Sequence, residues 1–307
     1  MPASDVRFAL IDLEHMGRPE SLAAYLIETG EGPVVVDPGP AVTLPRLHAD
    51  LAQRGYRPGD LTALLLTHIH LDHAGASGTL ARENPALRVH VHEKGAPHLV
   101  DPARLIGSAT RLYGERMERL WGEIAAVPRH QVVSLAGGER LRLGGRKIEV
   151  AYTPGHAWHH VSYFDPETET AFVGDTGGVF GPPPRPPLPI VLPATPPPDF
   201  DLPAWLDSIE RILRWTPVRL ALTHFGIASD PTRHFEELSQ GLVEWTGYAR
   251  EALELPGPDE SRQAAFVEKV RGWISMRMAP GEVEGFLSGI AIGADWQGLS
   301  RYLKRPD

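Results

Sequence analysis

The chain has 307 residues, 42% hydrophobic and 22% charged, with a formal net charge of -9 and no cysteine. Such a length supports a large buried core, as one large domain or two modest ones. The acidic balance argues against a long nucleic-acid partner, which clustered Lys and Arg would have to hold. Without cysteine there is no disulfide, and any metal must be held through nitrogen and oxygen. The start, Met1-Pro2-Ala3-Ser4-Asp5, lacks signal-peptide order. No apolar run reaches the roughly 18 residues of a membrane-spanning helix, so the cytoplasm is the expected compartment.

Val6 to Leu13 and Leu22 to Glu28 read as short strands, and Val34-Val35-Val36 as a buried one ended by Asp37-Pro38-Gly39-Pro40. Thr43 to Arg54 carries Leu44, Leu47 and Leu51 at helical spacing, with Gly55 as a cap. Leu61 to Leu66 reads as a strand, Ala74 to Glu83 as a helix and Arg88 to His92 as a strand. Pro102 to Ala126 predicts one or two helices with Leu105, Leu112, Leu120 and Ile124 in the core. Strands follow at Gln131 to Leu135, Glu139 to Leu143, Lys147 to Tyr152, Val161 to Phe164 and Thr170 to Val173. Gly137-Gly138 and Gly144-Gly145 mark tight turns.

Residues 181–198 hold ten prolines, which excludes regular helix and central strand. The segment is either an extended surface loop or a stiff wall of a site, since it follows Asp175 closely. Asp201 to Trp215 predicts an amphipathic helix and Val218 to Leu222 a last strand. Helices are expected over Phe235 to Glu254, Glu260 to Met276 and Gly281 to Leu303.

Four metal-competent side chains fall within Thr67-His68-Ile69-His70-Leu71-Asp72-His73. Polar groups packed so tightly need partners when buried, and a pair of divalent ions would supply them. Alternate residues of an extended chain project to one side, so His68 and His70 can reach one ion together. After the turn, Asp72 and His73 can point at a neighbouring position, and Gly75 permits a tight passage onward. Thr153-Pro154-Gly155-His156, Gly174-Asp175-Thr176-Gly177-Gly178 and Thr223-His224-Phe225-Gly226 each place a ligand-type residue just beyond an apolar strand.

The order His68-x-His70-x-Asp72-His73, then His156, Asp175 and His224, resembles the metallo-β-lactamase superfamily over roughly residues 6 to 226. It is most similar to the hydrolase branch that includes glyoxalase II and the quorum-quenching lactonases. The Thr-His-Phe-Gly and His-Ala-Trp-His-His stretches depart from those two and resemble a subgroup with a helical C-terminal extension. The resemblance implies an α/β fold, a four-layer αββα sandwich over residues 1–230, with helices over 231–307 packed on it. It implies that His68, His70 and His156 hold one divalent ion and Asp72, His73 and His224 a second, with Asp175 bridging. Zinc is the expected metal, although iron and manganese accept similar ligands.

Two ions about 3.5–4 Å apart can share a hydroxide. The implied activity is hydrolysis of a small ester, thioester, lactone or phosphodiester, with Asp72 steering or accepting the proton. Asp37 either orients a ligand histidine or only shapes its Pro-Gly turn. His160, beside His159, either supports the site or makes a structural hydrogen bond. Tyr113, Phe180 and Phe225 are candidates for the pocket wall or for the core. His48, His98, His130 and His234 are expected at the surface, and His90 and His92 are not needed as ligands. Two other functions fit the pattern: an iron-dependent redox enzyme of the persulfide dioxygenase kind, and a noncatalytic metal-binding module. The expected partner is a small-molecule substrate, with neither nucleic acid nor membrane. Trp245, Trp273 and Trp296 of the tail either bury against the body or form a homodimer surface.

Overall fold

The computed structural model describes residues 8–181, 190–279, 281–287, 290 and 292–305. The expected strand start at Val6, the N-terminal Met1 to Asp5, most of the proline run (182–189) and parts of the last helical segment lie outside them.

The first sheet runs β1 (Phe8–Asp12), β2 (Ala23–Ile27), β3 (Val34–Val36), β4 (Ala63–Leu65), β5 (Arg88–His92) and β6 (Val132–Leu135), in that spatial order. Strands β1 to β3 pair antiparallel and β3 to β6 parallel. The connections carry α1 (Leu44–Gln53), α2 (Leu71–Ala74), α3 (Ser77–Glu83), α4 (Ala96–Val100), α5 (Ala103–Tyr113) and α6 (Met117–Trp121).

The second sheet holds β7 (Arg140–Leu143), β8 (Arg146–Tyr152), β9 (Val161–Asp165) and β10 (Thr170–Phe172). A small ribbon of β11 (Val179–Phe180) and β12 (Val191–Leu192) intervenes before β13 (Arg219–Leu222) and β14 (Gly226–Ala228), which complete that sheet in the order β14-β13-β10-β9-β8-β7. Gly144 and Gly145, at φ 50° and 90°, close the β7–β8 hairpin, as a two-residue turn with both central φ positive requires. Helices α7 (Leu202–Leu213), α8 (Pro231–Leu253), α9 (Asp259–Ser275), α10 (Val283–Leu287) and α11 (Ile292–Leu303) follow.

Period-two alternation explains the layering. In β2, Ala24 and Leu26 face α1, whereas Ala23, Tyr25 and Ile27 face the other sheet. In β4, Leu64 joins the helical side, and Ala63 and Leu65 the inter-sheet core. The apolar stripe of α1 (Leu44, Leu47, Leu51) covers the outer face of the first sheet. Helices α7 to α11 share one core with β10, β12 and β13. The result is a helix–sheet–sheet–helix sandwich. Trp245, Trp273 and Trp296 are all buried within that last core, so the tail packs on the body. Phe266 and Phe286, also buried there, each contribute about 1.5–3 kcal/mol of hydrophobic stabilisation. No helix among the described residues is long and apolar enough to cross a membrane.

The two sheets are tied together where the site lies. Tyr163 Oη donates to Leu66 O (2.8 Å), and Tyr25 Oη donates to Leu222 O (2.7 Å) and Gly226 O (2.8 Å). Backbone bonds run from Val161 N to Thr67 O and from Ala23 N to Thr223 O, each 2.8 Å. These bonds satisfy carbonyls left open where strand pairing stops, and they fix the loops that carry His68 and His224.

Three expectations need correction. Leu105, Leu112, Leu120 and Ile124 are not buried core residues: Leu112 is 46% exposed, Leu120 and Ile124 flank a small cluster of Leu71, Ala109 and Trp121, and Leu105 flanks both that cluster and the core of the first sheet. Helical spacing reveals an apolar face but not whether protein or a cleft covers it. His234 is buried, with Nε2 2.7 Å from Gly177 O. His48 and His98 are half-buried, leaving only His130 fully at the surface. Gly75 has an ordinary helical φ of -57°. The tight passage expected of it is there, because a Cβ would lie 2.4 Å from Leu71 O.

Candidate metal centre

The ligand-type side chains come from four strand-end segments at one edge of the sandwich. β4 leads into the loop of Thr67 to His70, and α2 then carries Asp72 and His73. His156 lies between β8 and β9, Asp175 follows β10, and His224 sits between β13 and β14. His68, His70, His156 and Asp175 form one group whose ligand atoms lie within 4.8 Å of one another, and Asp72, His73 and His224 form a second.

Within the first group, His70 Nδ1 is 2.9 Å from His68 Nε2 and 3.0 Å from His156 Nε2. Asp175 Oδ2 is 3.4 Å from His156 Nε2, while its other oxygen, Oδ1, is 3.1 Å from His73 Nε2 and 3.5 Å from His224 Nε2. Asp175 therefore faces both groups with different oxygens. In the second group, Asp72 Oδ2 is 3.2 Å from His224 Nε2 and 3.8 Å from His73 Nε2. Ligands at about 2.0–2.1 Å from a tetrahedral ion are separated by about 3.3–3.4 Å, which these spacings bracket.

The outer ring atoms set the tautomers. His73 Nδ1 donates to Asp37 Oδ2 at 2.8 Å, and His156 Nδ1 donates to Ala194 O at 2.8 Å. Each Nε2 is thereby left with a lone pair aimed inward. His73 Nε2 and Asp175 Oδ1 are buried without a hydrogen-bond partner and face each other at 3.1 Å. Two lone pairs so placed repel unless a cation, a proton or a metal ion, neutralises them. The donor set thus fits a pair of divalent cations.

Electrostatics agree with the geometry. Burial and the neighbouring His156 hold His70 down to about 3, and burial with nearby imidazoles lowers His68. Burial also lowers His156. These three rings are neutral near pH 7, the state in which imidazole ligates. Burial opposes charge on His73 and His224 too, but Asp175 and its carboxylate neighbours override it, raising His73 and lifting His224 to about 9. Positive charge is favoured on this side of the cluster, where a second cation would sit.

Asp37 does both things its sequence context allowed. It occupies a left-handed turn at φ 47°, which Asp tolerates better than most residues. Its fully buried carboxylate accepts from Thr67 N (2.8 Å), Thr67 Oγ1 (2.7 Å), Thr223 Oγ1 (2.8 Å) and His73. His160 is also fully buried, within 3.0 Å of Thr153 Oγ1 and 3.2 Å of Thr176 Oγ1, and it stacks on His68 at 5.0 Å. It packs behind the ligand-type side chains and does not join them. His90 and His92 are buried on β5 away from both groups.

A cleft of about 590 Å³ opens over the cluster, within the usual range for small-molecule sites. Its wall includes Tyr113 but neither Phe180 nor Phe225, which pack against the two inner cores. Pro193, Pro196, Pro197 and Pro198 line it, so the described end of the proline segment is a wall.

Several contributors escaped the sequence reading. Thr67 and Thr223 both hold Asp37, and each directly precedes a ligand-type histidine after an apolar strand; that repeated Thr-His pair was a visible signal. His159 lines the cleft beside His70, with ring centroids 5.6 Å apart. Ala194 meets His156 through its carbonyl and Asp295 lines the cleft from the far C-terminal helix, and no local pattern marks either.

A model of the metallo-beta-lactamase superfamily matches residues 17–224. The metallo-beta-lactamase fold-containing protein ST1585 of Sulfurisphaera tokodaii is 29% identical over 187 residues, 59% of this chain and 67% of that protein. Its crystal structure superposes with a TM-score of 0.63, covering 95% of this chain and 97% of that one at 21% identity. A hydroxyacylglutathione hydrolase of Synechococcus is 30% identical over half of this chain, and the match spans 47% of that relative. A structure of TTHA1623 in a di-iron-bound form aligns with a TM-score of 0.51 and 31% identity, over 68% of this chain and 89% of that one.

Proposed function

The chain belongs to the metallo-beta-lactamase superfamily, and from that premise we propose that it is a binuclear metal-dependent hydrolase of small, neutral, apolar ester-type substrates. The observation that carries this reading is Asp175, whose two oxygens face the two ligand groups at the floor of an open cleft. His68, His70 and His156 would hold one cation, and Asp72, His73 and His224 the other, with Asp175 between. Bound there, two divalent ions supply an acidified water and polarise the substrate oxygen. The protein positions that chemistry through Asp37, which fixes His73, and through Asp72, which borders the cleft and can orient or accept a proton. Tyr113, also lining the cleft, keeps its proton to about 12 because of burial and the nearby Asp72, and so offers the substrate an O–H donor.

The substrate class follows from the walls. Leu105, Ala109 and Leu112 of α5 line the cleft together with Leu192, Pro193 and Ile290. Among the described lining residues Arg104 is the one lysine or arginine, whereas Asp199 adds negative charge. A polyanionic handle finds little to bind there, while an apolar acyl or alkyl group is accommodated. The name of the Synechococcus relative indicates a glutathione thioester for that protein; these walls support a different preference here.

The test is a panel of apolar esters, lactones, thioesters (a glutathione thioester among them) and phosphodiesters, assayed with zinc, manganese and iron. Turnover of neutral apolar esters or lactones above the glutathione conjugate is expected. Preference for the conjugate would overturn the substrate class, and no turnover with any metal would overturn the hydrolase. The likeness to di-iron TTHA1623 supports a second reading, iron-dependent redox chemistry, which oxygen consumption with iron alone would favour.

A further inference from the structure

We propose that the C-terminal helix α11 is a positioning element of the metal centre: Asp295 and Gly298 clamp the Thr195 segment, so that the adjoining Ala194 carbonyl holds His156 in its ligating tautomer. The proposal rests on the reading of His156 as a ligand.

The chain of contacts is continuous. His156 Nδ1 donates to Ala194 O at 2.8 Å. The next residue, Thr195, is buried and donates twice to one carboxylate oxygen, from N at 2.8 Å and from Oγ1 at 2.9 Å, both to Asp295 Oδ1. Asp295 lies one hundred positions away on α11. Three residues on, one helical turn from Asp295, Gly298 brings the helix backbone against the same segment. A Cβ on Gly298 would lie 1.8 Å from Thr195 O and 2.9 Å from the Pro196 carbonyl carbon. One face of α11 thus grips Thr195 by a carboxyl oxygen that accepts twice and by close packing.

The need for a clamp is physical. Ala194 belongs to no regular element, since β12 ends at Leu192 and α7 begins at Leu202. A loop carbonyl left to itself would sample orientations, and His156 would lose the acceptor that fixes its ring. His73 solves the same problem with Asp37, a carboxylate anchored by three other donors. His156 relies on a neutral carbonyl, so the rigidity must come from what holds the loop. The helical tail supplies it, giving the extension a role in the centre without contributing a ligand.

The experiment uses the full chain and the variants Asp295→Ala, Asp295→Asn and Thr195→Val. Thermal unfolding and circular dichroism select folded variants. Two readouts follow: chelator-competition titration with zinc, and the ¹⁵N–¹H pattern of His156 in metal-free protein. Asp295→Ala is expected to weaken one of the two zinc equivalents about 10–100-fold, as loss of support around a ligand does, and to erase the Nδ1–H pattern of His156. Asp295→Asn keeps an acceptor oxygen and should restore both to within about threefold of the wild type. Thr195→Val loses only the hydroxyl donor and should fall between them, which tests the clamp even if Asp295→Ala does not fold. Zinc affinity and a His156 pattern unchanged in Thr195→Val, and in any folded Asp295→Ala, would overturn the proposal. A wild type that binds no zinc, yet loses the His156 pattern in these variants, would keep the clamp and remove the metal reading instead.

Discussion

On the floor of the cleft, Asp37, His68 and His73 are completely buried, and Asp37 accepts four hydrogen bonds. On its wall, α5 leaves Leu112 46% exposed and buries only Ala109. The floor is assembled from strand-end loops cross-tied between two sheets, and each support has a partner and a geometry. This part of the wall is an amphipathic helix whose apolar stripe meets the cleft. Floors of this kind fix reacting atoms, whereas a wall of this kind sets which apolar group enters, and it tolerates change because little packs upon it.

The contrast breaks most sharply at Asp175. Asp175→Ala removes the one group facing both ligand sets, and turnover is expected to fall by at least about 10²–10³-fold, measured against the best ester of the panel at saturating metal. Full activity in that variant would contradict the bridging role. Asp37→Asn comes next. It removes the charge that holds His73 and replaces an acceptor by a donor facing it, so metal affinity should weaken about 10–100-fold in a chelator titration. An unaltered isotherm would reduce Asp37 to a turn residue.

The wall should respond differently. Leu112→Ser is expected to shift stability by no more than about 0.5 kcal/mol while raising KM for an apolar ester about fivefold, from the loss of about 1 kcal/mol of apolar contact. A large fall in Tm with unchanged KM would make α5 a core helix after all. The smallest expected effect is one of pH. Burial lifts the Asp295 carboxyl from an ordinary 3.8 to about 7, against the lowering effect of the two Thr195 donors. The folded chain therefore keeps a proton that the unfolded chain has released between those values, and stability falls as pH rises across that window. In Asp295→Asn this contribution vanishes, so the Tm difference should move in the variant's favour from pH 4 to pH 7. Parallel melting curves would contradict the shift.

Most of the floor was legible in the sequence because its ligand-type residues follow strand signals directly. His68 to His73 leave β4, and His156, Asp175 and His224 each sit just beyond an apolar run. Short range was enough there. The wall was misread because Leu105 and Leu112 repeat at helical spacing whether a core or a cleft lies opposite. The short strands β11, β12 and β14 were missed because two or three residues carry no periodicity, and β12 lies inside a run whose prolines argue against a strand. The role of the tail was invisible for another reason. Asp295 meets Thr195 only through tertiary packing, and nothing local to either residue announces the other.

Metal content of the purified chain, by elemental analysis after zinc loading and dialysis, tests the central claim most directly. Two equivalents per chain in the wild type, with one lost in His156→Ala and one lost in His224→Ala, is the result this account predicts. A wild type retaining no metal, or ions indifferent to both substitutions, would contradict it.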